Sequence, residues 1–239
     1  MSNFELLILY TFINFIVSFL TYRFFGKNGL IIFIVLSVIA ANIQVNKGVE
    51  YNIFGYHTIA TMGNVMFSGI FMASDLINEK YNRSEARKAI LLSLFFGLAF
   101  MFLMFIATLI PSVADEQYLA ISNALDVFFS LNGGAIKALL IGNFVYLISQ
   151  LLDVFIYARI KNKFAGFKWL WLRNTGSILL SQIVDTTMIT YGLAFAGIIP
   201  WEYTLEIAIS TLLIKYIIAF INLPLFYLLV FVKPKYNAL

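Results

Sequence analysis

The chain predicts an all-α membrane bundle of about seven transmembrane helices, a six-helix core plus one N-terminal helix. Three observations carry this. Of the 239 residues, 62% are hydrophobic and only 12% charged, about half the charged share of a soluble domain. The mean hydropathy is +0.90, more apolar surface than a soluble fold can hide. The basic residues fall in every second connection between apolar stretches, which is the positive-inside pattern.

A spanning helix needs roughly 20 apolar residues. Seven stretches meet this, near 4–24, 29–45, 58–78, 86–110, 133–160, 171–198 and 203–232. The first is not read as a cleaved signal, because Glu5 and no basic residue precedes it. Arg23 and Lys27 follow it. Lys80, Arg83, Arg87 and Lys88 lie between the third and fourth stretches, and Arg159, Lys161, Lys163, Lys168 and Arg173 between the fifth and sixth. Lys233 and Lys235 follow the seventh. Lys47 falls on the other side with Glu5, Glu50, Asp115, Glu116, Asp126, Glu202 and Glu206. The N-terminus is therefore expected outside and the C-terminus in the cytoplasm. Residues 1–28 form the additional helix and 29–239 the core.

Local signals agree with these ends. Trp169 and Trp171 mark one end of the sixth stretch and Trp201 the other, as interfacial aromatics do. Asn82 followed by Glu85 is a capping box for the fourth helix. Pro224 removes a backbone donor inside the seventh, predicting a kink with Asn222 bonding a freed carbonyl. The longest connection, 111–132, is expected outside as a loop.

Asp75, Asp153, Asp185 and Lys215 lie within the spans, where an Asp or Lys costs about 2.5–3.5 kcal/mol on insertion scales. Lys137 is close enough to a helix end to snorkel. Each of the four has polar company at helical spacing. The fifth stretch gives Asn143, Tyr146, Gln150, Asp153 and Tyr157, and the sixth gives Asn174, Ser177, Ser181 and Asp185 beside Gln182. The third gives Asn64, Ser68, Asp75 and Glu79, and the seventh Thr211, Lys215 and Asn222. Stripes of this kind do not face lipid, so they should converge on an interior. Helix-to-helix hydrogen bonding, at about 0.6 kcal/mol each, accounts for isolated Ser and Asn but not for buried charge. Asp185 and Lys215 fall at similar depth, which predicts a salt bridge. The pattern SQLLD (149–153) returns as SQIVD (181–185) on two antiparallel helices, offering two Gln–Asp pairs to one cavity.

Three segments resemble a known family. ASDLINEKYNRSEARKAI (73–90), SQLLDVFIYARIK (149–161) and SQIVDTTMITYGLAF (181–195) are similar to the queuosine precursor transporter family, also called the vitamin uptake transporter family. The likeness runs from about Ile31 to about Leu229. The family often has a proline in its equivalent of the third stretch, where this chain has Ser68 or Gly69. The resemblance implies a multi-pass protein of a prokaryotic plasma membrane that imports a 7-deazaguanine base such as 7-cyano-7-deazaguanine. A carboxylate suits the two N–H donors of a guanine-like edge, and a glutamine amide suits its carbonyl. The substrate site expected on this basis comprises Asp153, Gln150, Ser149, Asp185, Gln182, Ser181, Asn143, Asn64 and Lys215. Gating or proton coupling is expected of Asp75, Glu79, Asp185 and Lys215, with Asp75 pairing to Lys80 or a loop cation and the titrating proton on Asp185; facilitated diffusion with trapping inside the cell fits the residues equally well. The partners are a nucleobase-like small molecule and lipid, with no nucleic acid and no cofactor, and self-association is open.

Two other readings are open from the residues. No phosphate-binding loop of the Gly-x-x-x-x-Gly-Lys-[Ser/Thr] type is present, so a binding subunit of an energy-coupling factor transporter would need partner ATPases. A Mg²⁺-dependent intramembrane enzyme would use Asp75 and Glu79, one helical turn apart. His57, the single histidine, falls in an outer connection, and there is no cysteine.

Overall fold

The computed structural model describes residues 1–53, 55–131 and 135–235. In chain order these form α1 (Asn3–Gln44), β1 (Gly48–Ile53), β2 (Tyr56–Thr61), α2 (Gly63–Lys80), α3 (Arg83–Thr108), α4 (Glu116–Phe129), α5 (Ala135–Lys163), α6 (Leu170–Phe195) and α7 (Thr204–Phe231). Five of these helices, all but α2 and α4, belong to segments long and apolar enough to cross a membrane.

The first two predicted spans are the two arms of α1. A straight helix would put Tyr10 and Gln44 about 51 Å apart, at ~1.5 Å for each of 34 steps. Instead the Tyr10 hydroxyl donates to Gln44 Oε1 at 3.0 Å. The fold-back is at Gly26, whose φ of 57° and ψ of −138° suit glycine alone. Leu7, Thr11, Asn14, Ser18 and Tyr22 line the buried face of the first arm at helical spacing. Asn14 Nδ2 donates to the Val65 carbonyl of α2. A side chain at Gly69 would run into that amide, so the bare backbone at 69 lets the first arm dock on α2. α2 remains one continuous helix through Ser68 and Gly69.

The helix α2 is the axis of the bundle. Fifteen of its 18 residues are buried, because both arms of α1 and α3, α5, α6 and α7 surround it. A helix enclosed by protein need not be apolar all round, which is why α2 carries Asn64, Ser68, Ser74, Asp75 and Asn78. α3 is peripheral and turns Phe95, Phe102 and Leu103 outward, as a lipid-facing helix does. With two arms from α1, seven helical lengths build the bundle.

Several boundaries differ from the sequence expectation. The span predicted at 58–78 begins inside a β-hairpin: β1 and β2 pair antiparallel with Gly48 opposite Thr61, and the helix starts at Gly63. The hairpin is rich in β-branched and aromatic residues, which hydropathy alone does not distinguish from a span. The connection 111–132 contains α4, capped by the Asp115 carboxylate on the Gln117 and Tyr118 amides. The fifth span, expected from 133, is helical from Ala135, and 133 and 134 lie outside the described residues. Only half of the expected capping box forms: Asn82 accepts from the Glu85 amide, while the Glu85 carboxylate turns to Lys27 and Lys88 at 2.8 Å each. α7 runs through Pro224, and Asn222 donates to Ser68 of α2 rather than to a carbonyl of its own helix.

The charges sort to the two ends as the alternation predicts. Arg23 donates to the Lys233 carbonyl, Lys27 meets Glu85, and Arg173 and Lys161 meet Glu79, all at one end. The hairpin, with Glu50 and His57, lies at the other, where Asn3 donates to the Glu50 carbonyl.

Candidate functional site

The polar stripes converge in three layers along the bundle axis. The first is a cavity of about 240 Å³ reached from the hairpin end. Ligand pockets commonly span roughly 300–1,000 Å³, so this one suits a small ligand. Its wall is largely apolar, with Phe67 and Tyr146 lining it and Asn64, Thr211, Asp185 and Lys215 among its polar groups. Lys215 of α7 forms an ion pair with Asp185 of α6 and donates to Thr186 Oγ1 at 3.1 Å. The salt bridge expected from their equal depth is thus formed.

The second layer is closed off from the surface. Asp75 of α2 and Asp153 of α5 are both fully buried. Asp75 Oδ2 accepts from Asn174 Nδ2 of α6 at 2.7 Å, and Asp153 Oδ1 accepts from Ser181 Oγ at 3.1 Å. The two carboxyl groups also lie against one another. Gln150 Oε1 accepts from Ser74 Oγ at 3.2 Å. Gln150 Nε2, Gln182 Oε1 and, at the cavity, Asn64 Nδ2 are buried without a partner among the described residues. Each such atom costs about 1–3 kcal/mol, so this is a site whose hydrogen-bonding capacity the protein does not fill itself.

The third layer seals the basic end. Glu79 Oε1 accepts from Arg173 at 2.9 Å, Glu79 Oε2 accepts from the Tyr157 hydroxyl at 2.8 Å, and Lys161 is 3.5 Å away. Lys161 also binds the Asn78 and Glu79 carbonyls at the C-terminal end of α2, where the helix dipole favours a cation. Arg173 ties in the carbonyls of Phe164, Ala165 and Gly166. Beyond this seal a cleft of about 260 Å³ is lined by Asn78, Arg83, Arg159 and Lys161.

The repeated SQxxD pattern has a structural use that spacing did not show. Ser149 Oγ donates to Asp185 Oδ1 at 2.8 Å, and Ser181 Oγ donates to Asp153 Oδ1 at 3.1 Å. The serine of each copy holds the aspartate of the other. The residue numbers of the two pairs have the same sum, as one antiparallel register requires. The aspartates then diverge, Asp185 toward a lysine and Asp153 toward a second acid. Replacing either serine by alanine removes a donor from a carboxylate oxygen, worth about 1–3 kcal/mol. Thermal unfolding in detergent should show a larger loss for Ser181→Ala than for Ser149→Ala, because Asp185 keeps Lys215. Equal losses would mean that the lysine does not compensate.

Other expected residues are placed differently. Asn143 does not line the cavity; its amide donates to the Leu139 carbonyl at 2.7 Å and faces Asn42 of α1. Asp75 does not reach Lys80, which is exposed, and the loop cations go to Glu79 instead. Asp75 and Glu79 direct their carboxylates to separate partners rather than to one point. Arg173 and Lys161 fall among the loop charges by sequence, yet both turn to Glu79, Arg173 buried and Lys161 half-buried. The signal for Arg173 was its place beside Asn174 on the polar stripe of α6.

A helical membrane bundle with a cavity from one end, a buried polar layer and an ionic seal at the other is the architecture of a membrane transporter. The chain belongs to the family described as "putative vitamin uptake transporter", which matches residues 61–229. It is 40% identical over 228 residues to the "probable queuosine precursor transporter" of Bacillus subtilis (strain 168), covering 95% of this chain and 94% of that protein. No solved structure matches the chain.

Proposed function

We propose that the chain imports a queuosine precursor, a 7-deazaguanine base such as 7-cyano-7-deazaguanine, across the plasma membrane of a prokaryote. The observation that carries this is the 40% identity, over nearly the full length of both chains, to a relative named for that cargo. The positive-inside rule puts the hairpin end outside and the basic end in the cytoplasm. The base enters the cavity between Phe67 and Tyr146, against Asn64 and the Asp185–Lys215 pair. It then exchanges polar partners with the layer below, where Asp153 accepts N–H donors and Gln150 and Gln182 supply a free amide donor and acceptor. Ser149 and Ser181 hold the two aspartates in place. Release needs the Glu79–Arg173–Lys161 seal to part, so access alternates between the two ends.

The test is uptake in cells that cannot make queuosine. Supplied with 7-cyano-7-deazaguanine, 7-aminomethyl-7-deazaguanine or queuine, cells expressing the chain should regain queuosine in tRNA. Absence of rescue by all three, with the protein present in the membrane, would overturn the proposal. Rescue restricted to hosts with energy-coupling ATPases would make the chain a binding subunit instead of a self-sufficient carrier.

A further inference from the structure

We infer that Asp75 and Asp153 together form a proton-binding site, holding one proton between their carboxyl groups, and that this proton is co-transported with the base. The co-transport half rests on the transporter reading above; the proton site does not. Asp75 Oδ1 and Asp153 Oδ2 are buried and meet no donor group among the described residues. They belong to two fully buried carboxyl groups that lie against one another. Two buried carboxylates in contact, with no donor to these oxygens, repel each other unless one carries a hydrogen that the other accepts.

The surrounding charges give the same answer. On α2 the neighbour is Glu79; on α5, Tyr157 and Lys161; on α6, Arg173 and Asp185; on α7, Lys215. Glu79 takes Arg173 and Lys161, and Asp185 takes Lys215. On α1 and α3, Lys27 and Glu85 pair with each other, and Tyr22 of α1 lies by Tyr81 of the connection between α2 and α3. The interior around the pair therefore holds four acids (Asp75, Glu79, Asp153, Asp185) and three cations (Lys161, Arg173, Lys215), and 4 − 3 leaves one positive charge to be supplied. Asp185 already faces a lysine, so the proton belongs to the Asp75–Asp153 pair and not to Asp185. Gln150, one turn from Asp153 and held by Ser74, keeps a buried Nε2 with no partner. It is a neutral donor on the same face of α5 as Asp153.

The position suits coupling. Asp75 and Glu79 are one turn apart on α2, and Asn174 and Arg173 are adjacent on α6, so the two helices clasp through consecutive rungs. With the proton in place α5 and α2 are joined across the pair. Without it two like charges face each other beside the seal, and the clasp loosens. The proton enters from outside water through the cavity and leaves to water at the basic end.

Purified full-length protein in liposomes tests this, with neutral 7-cyano-7-deazaguanine as the probe. Counterflow at equal pH measures carriage alone. With the membrane potential clamped, one proton per base predicts about tenfold accumulation for an acid-outside gradient of one pH unit, with matching internal acidification. Counterflow without pH-driven accumulation, or accumulation driven by sodium instead, would overturn the coupling. Independently, the infrared carbonyl band of a protonated carboxyl group should be present at neutral pH and absent in Asp75→Asn and in Asp153→Asn. Its absence from the unmodified protein would overturn the proton site, whether or not the variants fold. Absence of counterflow would sink the cargo reading, and the infrared band would still decide the proton site.

Discussion

Lys215→Met is expected to destabilise the protein by about 3–5 kcal/mol and to abolish uptake, the stability loss being that of breaking a buried ion pair from one side. Lys215 is buried, and Asp185 keeps only 17% of its side chain exposed. Without the lysine, Asp185 retains Ser149 as a donor but no countercharge. Methionine preserves the volume and the apolar stem, so the loss reports charge rather than packing. The double variant Lys215→Met with Asp185→Asn removes both charges together and should recover most of the stability while remaining inactive. Thermal unfolding in detergent of the starting protein, each single variant and the double variant provides the cycle. A single variant as stable as the starting protein would show that the pair contributes no stability, and an active double variant would show that the cavity floor does not need it.

Arg173→Gln is expected to open the basic end. The arginine is 3% exposed and joins Glu79 to three carbonyls of the α5–α6 connection. Its loss leaves Glu79 with Lys161 at 3.5 Å and Tyr157, and leaves the connection unanchored. The expected destabilisation is smaller, about 1–3 kcal/mol, because Glu79 keeps a countercharge while the connection loses its donor. A more specific readout is available because the chain has no cysteine. A cysteine at Ser177, a fully buried position, should resist a water-soluble maleimide from the basic side. It should react readily once Arg173→Gln is added. Equal protection in both backgrounds would mean that the seal is made elsewhere.

Some of this was legible in the sequence because burial of charge in a membrane leaves a strong trace. The alternation of basic connections located the ends of the bundle, and the spacing of Asn64, Ser68 and Asp75 or of Gln150 and Asp153 located the interior faces. The family segments were legible too, since 73–90, 149–161 and 181–195 carry unusual polar runs in an oily chain. The hairpin at 48–61 and the helix α4 were not, because hydropathy over a window does not separate a β-branched hairpin or an interfacial helix from a span or a loop. Asn143 was on the right face of α5 in periodicity, yet a helix face about five residues deep meets several neighbours, and its own neighbour is Asn42.

The sequence by itself determined that this is a membrane bundle of seven helical lengths, with charge sorted to its two ends and buried acids on α2, α5 and α6. Those features follow from transfer free energies and helical periodicity, which act residue by residue. Only the tertiary structure decided which acid meets which partner. Ser149 and Ser181 exchange aspartates because α5 and α6 pack antiparallel in one register. Asp153 meets Asp75 and Glu79 draws Arg173 inward because α2 lies at the centre of the bundle, whereas the Asp185–Lys215 pair was already legible from equal depth. Pairing between helices depends on register and rotation, and neither is written in the spacing along one chain.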